Sequence, residues 1–387
     1  MSLIFYYDKD LPKTTPLRQE YLRNQVIKLK NIFQPAQKSK EWYEMRNGML
    51  TASDWGTILG ENHYVSNNNT VLLNKCGDDN FVTNPAMEWG NKYEDVAVKV
   101  YEYRNNKTIL EFGCLRHPFI SFLGASPDGI TPDGIMLEIK CPSSRKITGT
   151  PPSHYWCQVQ GQLEVCELDR CDFIECSFKE YSEEEYLNDN YNNDFKLNKF
   201  GNEKGLVAEF YNKDSKKFYY DYSSVCIIGE ELENWKKSIL EKHICENIIF
   251  SCFSYWYLEE VSCVPIYRNQ EWFQKAKIEL EKFWNEVLKY RKLGLEKLKE
   301  DLQTKKNIIK NEKLSKKEES VKKKVKTTTT STKKTKDVII LDYYSIEKKE
   351  KNKMEIDIQK NNESSEDSSN DDYDDVIFNT NVSMFSD

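Results

Sequence analysis

Histidine is scarce in this chain: four residues in 387, none close to another in sequence. A zinc site built on histidine is therefore not expected. Paired cysteine spacings are missing too. The eleven cysteines are odd in number and scattered, which fits reduced thiols in an intracellular protein better than a disulfide framework. No run approaches the roughly 18 uncharged apolar residues that a membrane span needs. The opening residues, MSLIFYYDKD, lack the basic segment, the apolar run and the small-residue cleavage site of a secretory signal. A dominant sign of charge is also absent. The net charge of −7 does not by itself point to nucleic acid. It hides a polarity, however: residues 305–336 hold thirteen lysines against three acids, and residues 361–387 hold eight acids and no base. Local charge is the better guide.

What is present argues for a folded body followed by a tail. A chain that is 39% hydrophobic, with eight Trp and 23 Tyr, can bury a sizeable core in two or three domains. From about residue 304 the sequence falls to stretches such as KKVKTTTTSTKKTK and NNESSEDSSNDDYDD, which bury too little apolar surface to offset backbone ordering. The expected organisation is an N-terminal extension over 1–38, a core over 39–180, the remainder of the body over 181–303, and a disordered basic-then-acidic tail over 304–387. The basic half contacts DNA, acts as a nuclear address or is a solvated linker.

Within the body, Ser39 and Gly48 bracket a short helix, and Thr51 or Ser53 opens a second that stops at Gly60. Asn84 before Pro85 opens a longer one, NPAMEWGNKYEDVAVKVYEYR. FISFLGASPD, GIMLEIKC and DFIECSFK read as strands, with the helical HYWCQVQGQLEVCE between the last two. A hairpin around Asn212–Asp214 and amphipathic helices over 230–246 and 270–300 complete an α/β (α+β) body around one sheet.

The chemistry gathers in GASPDGITPDGIMLEIKCP, residues 124–142. Side chains alternate along a strand, so Glu138 and Lys140 share one face while Leu137 and Ile139 take the other. A turn at Thr131–Gly134 folds the preceding strand back and sets Asp128 opposite Glu138. Carboxylates at that range repel unless a cation lies between them. Oxygen ligands without His or Cys suit Mg2+ or Mn2+, and Lys140 would position a bound water or help deprotonate it. A surface ion-pair cluster is the other reading of this hairpin.

Two helices carry polar residues where apolar ones are expected. On the first, Glu88, Lys92, Asp95, Lys99 and Glu102 line the expected solvated face, and Glu94 falls in a stripe with Met87, Gly90, Ala97, Val98 and Tyr101. A lone carboxylate there is costly unless a metal or a core arginine compensates it. On the second, Trp156, Val159, Leu163 and Cys166 form the buried stripe, while Gln160, Glu164 and Glu167 are expected toward water. Tyr155, Gln158 and Gln162 lie on the flank, where an amide can hold a water, a phosphate oxygen or a structural hydrogen bond.

These residues resemble a known family. Asp128, Glu138 and Lys140 read as PD-x9-E-x-K, the signature of PD-(D/E)xK nucleases. WYEMRNGMLTASDWGTILG, WGNKYEDVAVKVYE, LGASPDGI, LEIKCP and YWCQVQGQLEV occur in the order and spacing of the YqaJ-type viral recombinase family, which includes phage lambda exonuclease. The resemblance covers about residues 40–178, and five ordered blocks are specific where the short signature is not. It implies a restriction-endonuclease-like core, a central mixed sheet flanked by helices, and Mg2+-dependent hydrolysis of DNA. Glu94, Asp128, Glu138 and the Ile139 carbonyl would be metal ligands, and Lys140 and Gln158 would handle the attacking water. Asp133 also precedes Glu138, but the LGASPDG block selects Asp128 and leaves Asp133 to the turn.

By the same resemblance Arg46, Ser53 and Ser126 grip a terminal 5′-phosphate. The helix start at Thr51–Asp54 would add backbone N–H groups and a favourable dipole; Ser53 as a plain cap beside a surface Arg46 is the other reading. The expected function is a 5′→3′ exonuclease on double-stranded DNA ends, acting in viral recombination, repair or genome processing. A ring homotrimer and a single-strand annealing partner are implied by resemblance alone. The Lys-, Asn- and Tyr-rich bias points to a large DNA virus, hence to host cytoplasm, nucleus or virion. The rival readings are a structure-specific or nicking endonuclease of the same superfamily and a non-catalytic DNA-binding recombination protein.

Overall fold

The computed structural model describes residues 15–37, 39–77, 84–243 and 247–328. The chain divides between Thr304 and Lys305 into two units, the first of which carries both sheets and the candidate site. The Thr15 hydroxyl accepts the Arg18 N–H at 3.3 Å and Pro16 stands at the first turn, opening α1 (Pro16–Asn31). Leu22, Val26 and Leu29 of α1 are buried in the core, so this helix is part of the body and not an appendage. Ser39 caps α2 (Lys40–Asn47) by accepting the Trp42 N–H, as its chemistry predicts. The helix ends at Gly48, which keeps a right-handed φ of −69° and so does not use glycine's left-handed freedom. Next come β1 (Leu50–Thr51), α3 (Ala52–Ile58) and α4 (Asn69–Lys75). Asn84 then accepts the Met87 N–H at 2.8 Å to open α5 (Pro85–Asn105).

β2 (Leu115–Arg116) and β3 (Leu123–Ala125) join β1 in a small sheet of order β1-β3-β2. The chain then crosses to a second sheet. β4 (Gly129–Ile130) and β5 (Ile135–Lys140) form the expected hairpin, Gly129 opposite Leu137 and Ile130 opposite Met136. α6 (Ser153–Cys166) carries the chain over to β6 (Arg170–Tyr181), which lies parallel to β5. After α7 (Glu183–Asn188) come the hairpin β7 (Lys204–Asn212) and β8 (Lys217–Tyr222), α8 (Gly229–Lys242) and β9 (Ile248–Tyr267). α9 (Gln270–Leu293) and α10 (Leu295–Thr328) complete the described chain. The larger sheet has the order β4-β5-β6-β9-β7-β8. β9 pairs with β6 along one stretch and β7 along the other, so this mixed, helix-flanked sheet runs across residue 180.

β5 is covered on both faces. Leu137 and Ile139 pack with Tyr93, Val96, Ala97 and Val100 of α5. Met136 packs with Val159 and Leu163 of α6. The alternation of a strand therefore turns Glu138 and Lys140 toward α6.

Three polar side chains expected in water are buried instead. Lys92 reaches Glu180, Glu209 and Ser254 at 2.5, 2.6 and 2.8 Å. Gln160 donates to the Tyr267 carbonyl at 2.8 Å and accepts the Asn269 N–H at 2.6 Å. Glu164 accepts from Arg268 at 2.8 Å. Each of these partners comes from β6, β7, β9 or the two residues after it, distant segments that helical periodicity cannot see. Met87, placed in the apolar stripe, is instead 38% exposed. The tail also differs from expectation in its first part, which is helical through Thr328; residues 329–387 lie outside the described ones. The described cysteines are free thiols. Among the described residues no helix is long and apolar enough to cross a membrane.

Candidate active site

Asp128 stands where the chain leaves the small sheet and enters the large one, between β3 and β4. Its carboxylate accepts the Ile139 N–H at 2.6 Å, extending the β4–β5 pairing by one side-chain bond. The N–H and C=O of a strand residue project to the same edge, so the Ile139 carbonyl lies on the Asp128 side of β5. Asp133 takes no part: it is at the turn, paired with Lys107 at 3.0 Å.

Glu138 is 0% exposed. Gln158 and Gln162, one turn apart on α6, each donate to one of its oxygens, at 2.7 and 2.6 Å. The Lys140 ammonium, one strand pair along, also contacts the carboxylate. Burial alone would lower the Lys140 pKa, but Glu138 and then Asp128 outweigh it and raise it. The ammonium is thus retained at neutral pH and acts through charge and position. Asp128 is raised too, which for a carboxyl group favours the neutral form. Burial first, then repulsion from Glu138 and from Glu94, push its pKa well above the usual range, against Lys140 and the Ile139 N–H. Glu94 is half-buried and close enough to act on Asp128.

Glu94 comes from the helix on one face of β5 and Glu138 faces the helix on the other, with Asp128 at the sheet edge. Among the described residues no three His, Cys, Asp or Glu side chains gather closely enough to hold one ion. The reason is visible in the partners. Glu138 is turned to two amides and an ammonium, and Asp128 to a backbone N–H. The chemistry of the set nonetheless fits a hard cation: all donors are oxygen, and Asp128 carries repulsion that a divalent ion would remove.

The residues expected to bind phosphate do meet. Arg46 donates to Ser53 at 3.0 Å and to Ser126 at 3.3 Å, and Ser53 lies 3.1 Å from the Thr51 hydroxyl. The guanidinium also lies 4.3 Å from the centre of the Trp42 ring. Asp54 modifies the expectation for the helix start, because its carboxylate accepts both the Thr51 N–H and the Thr51 hydroxyl at 2.9 Å. Lys75 pairs with Asp54 at 2.9 Å and donates to the Arg46 carbonyl at 3.0 Å. Neither Lys75 nor Asp54 was singled out from the sequence.

Gln162 reads from the sequence as a flank amide open to a water, a phosphate oxygen or a structural hydrogen bond. The structure shows the last, to Glu138, and its spacing of four from Gln158 on one helical face fits a shared target. Another neighbour was missed. Glu175 registers opposite Lys140 on β6, is fully buried, and holds Arg145 at 2.5 Å. No sequence signal announces that pair, since β5 and β6 are brought together only by the crossover.

Comparison with known proteins follows the same residues. Residues 41–169 match the YqaJ-like viral recombinase domain. An uncharacterized protein of Acanthamoeba polyphaga mimivirus is 33% identical over 339 residues, covering 76% of this chain and 62% of its own length. A protein of African swine fever virus is 26% identical over 160 residues, covering 33% of this chain and 46% of its own. The chain therefore spans less than two thirds of either relative. Among solved structures, an alkaline exonuclease from Laribacter hongkongensis is 19% identical with a TM-score of 0.39, covering 69% of this chain and 99% of its own. A phage-related exonuclease from Haemophilus somnus is 14% identical with a TM-score of 0.36, covering 62% and 93%.

Proposed function

We propose that this chain, whose residues 41–169 are a YqaJ-like viral recombinase domain, is a metal-dependent nuclease that degrades double-stranded DNA from its ends in the 5′→3′ direction. One observation carries the reading. A fully buried Glu138 is held by two amides and an ammonium, beside an Asp128 that feels both Glu138 and Glu94. Such a set is costly as a core and reasonable as a site.

Glu94, Asp128, Glu138 and the Ile139 carbonyl would hold Mg2+ or Mn2+. When bound, such an ion activates water and offsets charge on a phosphoryl group. Gln158 and Gln162 fix the plane of the Glu138 carboxylate. Lys140, cationic and anchored to Glu138, orients the attacking water and the phosphate oxygen through its N–H donors. Arg46, Ser53 and Ser126 offer a guanidinium and two hydroxyls to a terminal phosphate, supported by Thr51. That group favours an end-directed enzyme over one that cuts internally.

The test is digestion of linear duplexes with 5′-phosphate or 5′-hydroxyl ends, and of a closed circular duplex, in Mg2+ or in EDTA. Hydrolysis is expected on the linear phosphorylated duplex in Mg2+, absent in EDTA and absent from a Lys140→Ala protein. Cleavage of the intact circle would make the enzyme an endonuclease. Activity in EDTA, or in Lys140→Ala at the wild-type rate, would end the metal-site reading.

A further inference from the structure

Three aromatic side chains beside Lys140 have no part in the hydrolysis proposed above. They follow one another outward from it. The Lys140 ammonium lies 4.8 Å from the centre of the Tyr155 ring. Tyr155 lies 4.0 Å from the His154 ring, and His154 meets Tyr64 edge-on at 5.6 Å. Tyr64, in the loop between α3 and α4, is 67% exposed.

The middle of this path is rigid. A Cβ on Gly56 of α3 would sit 2.6 Å from the Cβ of His154 and 2.7 Å from its Cα, so α3 and the start of α6 touch backbone to backbone. The Ser153 hydroxyl donates to the Glu61 carbonyl at 2.9 Å, tying the loop to α6. Two cations lie nearby, Lys140 paired with Glu138 and Arg145 paired with Glu175. Burial, then their charges, lower the His154 pKa to about 4, leaving a neutral ring near two positive groups. Ser53, in the phosphate group, is three residues before Gly56 on α3, so the two features adjoin along one helix. Aromatic rings interleaved with cations, leading from a phosphodiester site into solvent, suit a nucleic-acid strand whose bases are unpaired; a base within a duplex is already stacked on both faces.

We propose that Tyr155, His154 and Tyr64 form a stacking path for unpaired bases of the DNA strand whose phosphate lies at Lys140. The proposal rests on the nuclease reading and adds to it which side chains receive the unpaired bases. Binding along the path is tolerant of sequence, because every base presents a π face.

The experiment uses the full chain in EDTA, titrated by fluorescence anisotropy against a duplex with a 5′ overhang of thymidines and against the same duplex with an abasic overhang. The wild-type protein should prefer the thymidine overhang. Tyr64→Ala should lose about 5- to 150-fold of that affinity, Tyr64→Phe should keep it, and neither should alter binding to the abasic overhang. Tyr64 is largely in water, so both variants should melt with the wild type. The proposal is overturned by wild-type protein that binds both overhangs equally, or by Tyr64→Ala protein that binds thymidines as tightly as wild type. Digestion of the same duplexes in Mg2+ keeps the two ideas apart: a protein that cuts but shows no preference loses the path and retains the nuclease reading.

Discussion

At the scale of single residues, the centre of the site is a carboxylate with no exposed surface of its own. Glu138 is held by donors from Gln158, Gln162 and Lys140, and Gln162 is itself 1% exposed. Side chains that hold a metal ligand from behind commonly matter to affinity as much as to shape. Gln162→Leu removes one donor while keeping bulk, and is expected to weaken Mn2+ binding by about 10- to 100-fold. Calorimetric titration checks this, and equal affinity in variant and wild type would leave Gln162 a packing residue only. Asp128, Glu138 and Lys140 were legible in the sequence because a tight turn and strand alternation are local rules. Arg46, Ser53 and Ser126 were identified only through resemblance, since they come from three separate segments.

Among the elements, α3 and α6 form the contact on which both candidate groups depend. α3 carries Ser53, α6 carries Gln158 and Gln162, and glycines bring the two helices together. Gly161 of α6 faces Ala52 and Trp55, where an added Cβ would come within 2.9 Å of each. Gly56 faces the backbone of His154. Alanine in a helix interior is favoured over glycine by about 1 kcal/mol, whereas forcing an extra carbon against backbone costs roughly 1–3 kcal/mol or more. Gly56→Ala should therefore destabilise the protein. Gly90→Ala, on α5 with nothing near its added Cβ, should gain the propensity alone. Thermal unfolding of both variants checks the pair, and a Gly56→Ala protein as stable as Gly90→Ala would show that the helices can separate without penalty.

On the scale of the whole molecule, charge is divided along the chain. The body ends near Thr304 and is followed by a stretch with thirteen lysines against three acids. Lysines that neutralise DNA phosphates release counterions, and affinity then falls steeply with salt. Removal of residues 304–387 is expected to weaken duplex binding and to flatten its dependence on salt, measured as the slope of log K against log salt. Unchanged affinity and slope would show that the basic arm does not contact DNA.

The sequence by itself determined the local devices: the caps at Ser39 and Asn84, the turn at Thr131–Gly134 and the alternation of β5. Each depends on neighbours within a few residues, where backbone sterics and short hydrogen bonds decide. Tertiary structure alone decided the fate of Lys92, Gln160 and Glu164, which long-range partners draw out of water. It also decided that Glu94 and Glu138 approach Asp128 from opposite faces of the sheet. The physical reason is the same in each case. The pairing of β6 with β9 and the parallel crossover through α6 join segments far apart in the chain, and a local hydrophobic pattern carries no record of which distant charge will meet it.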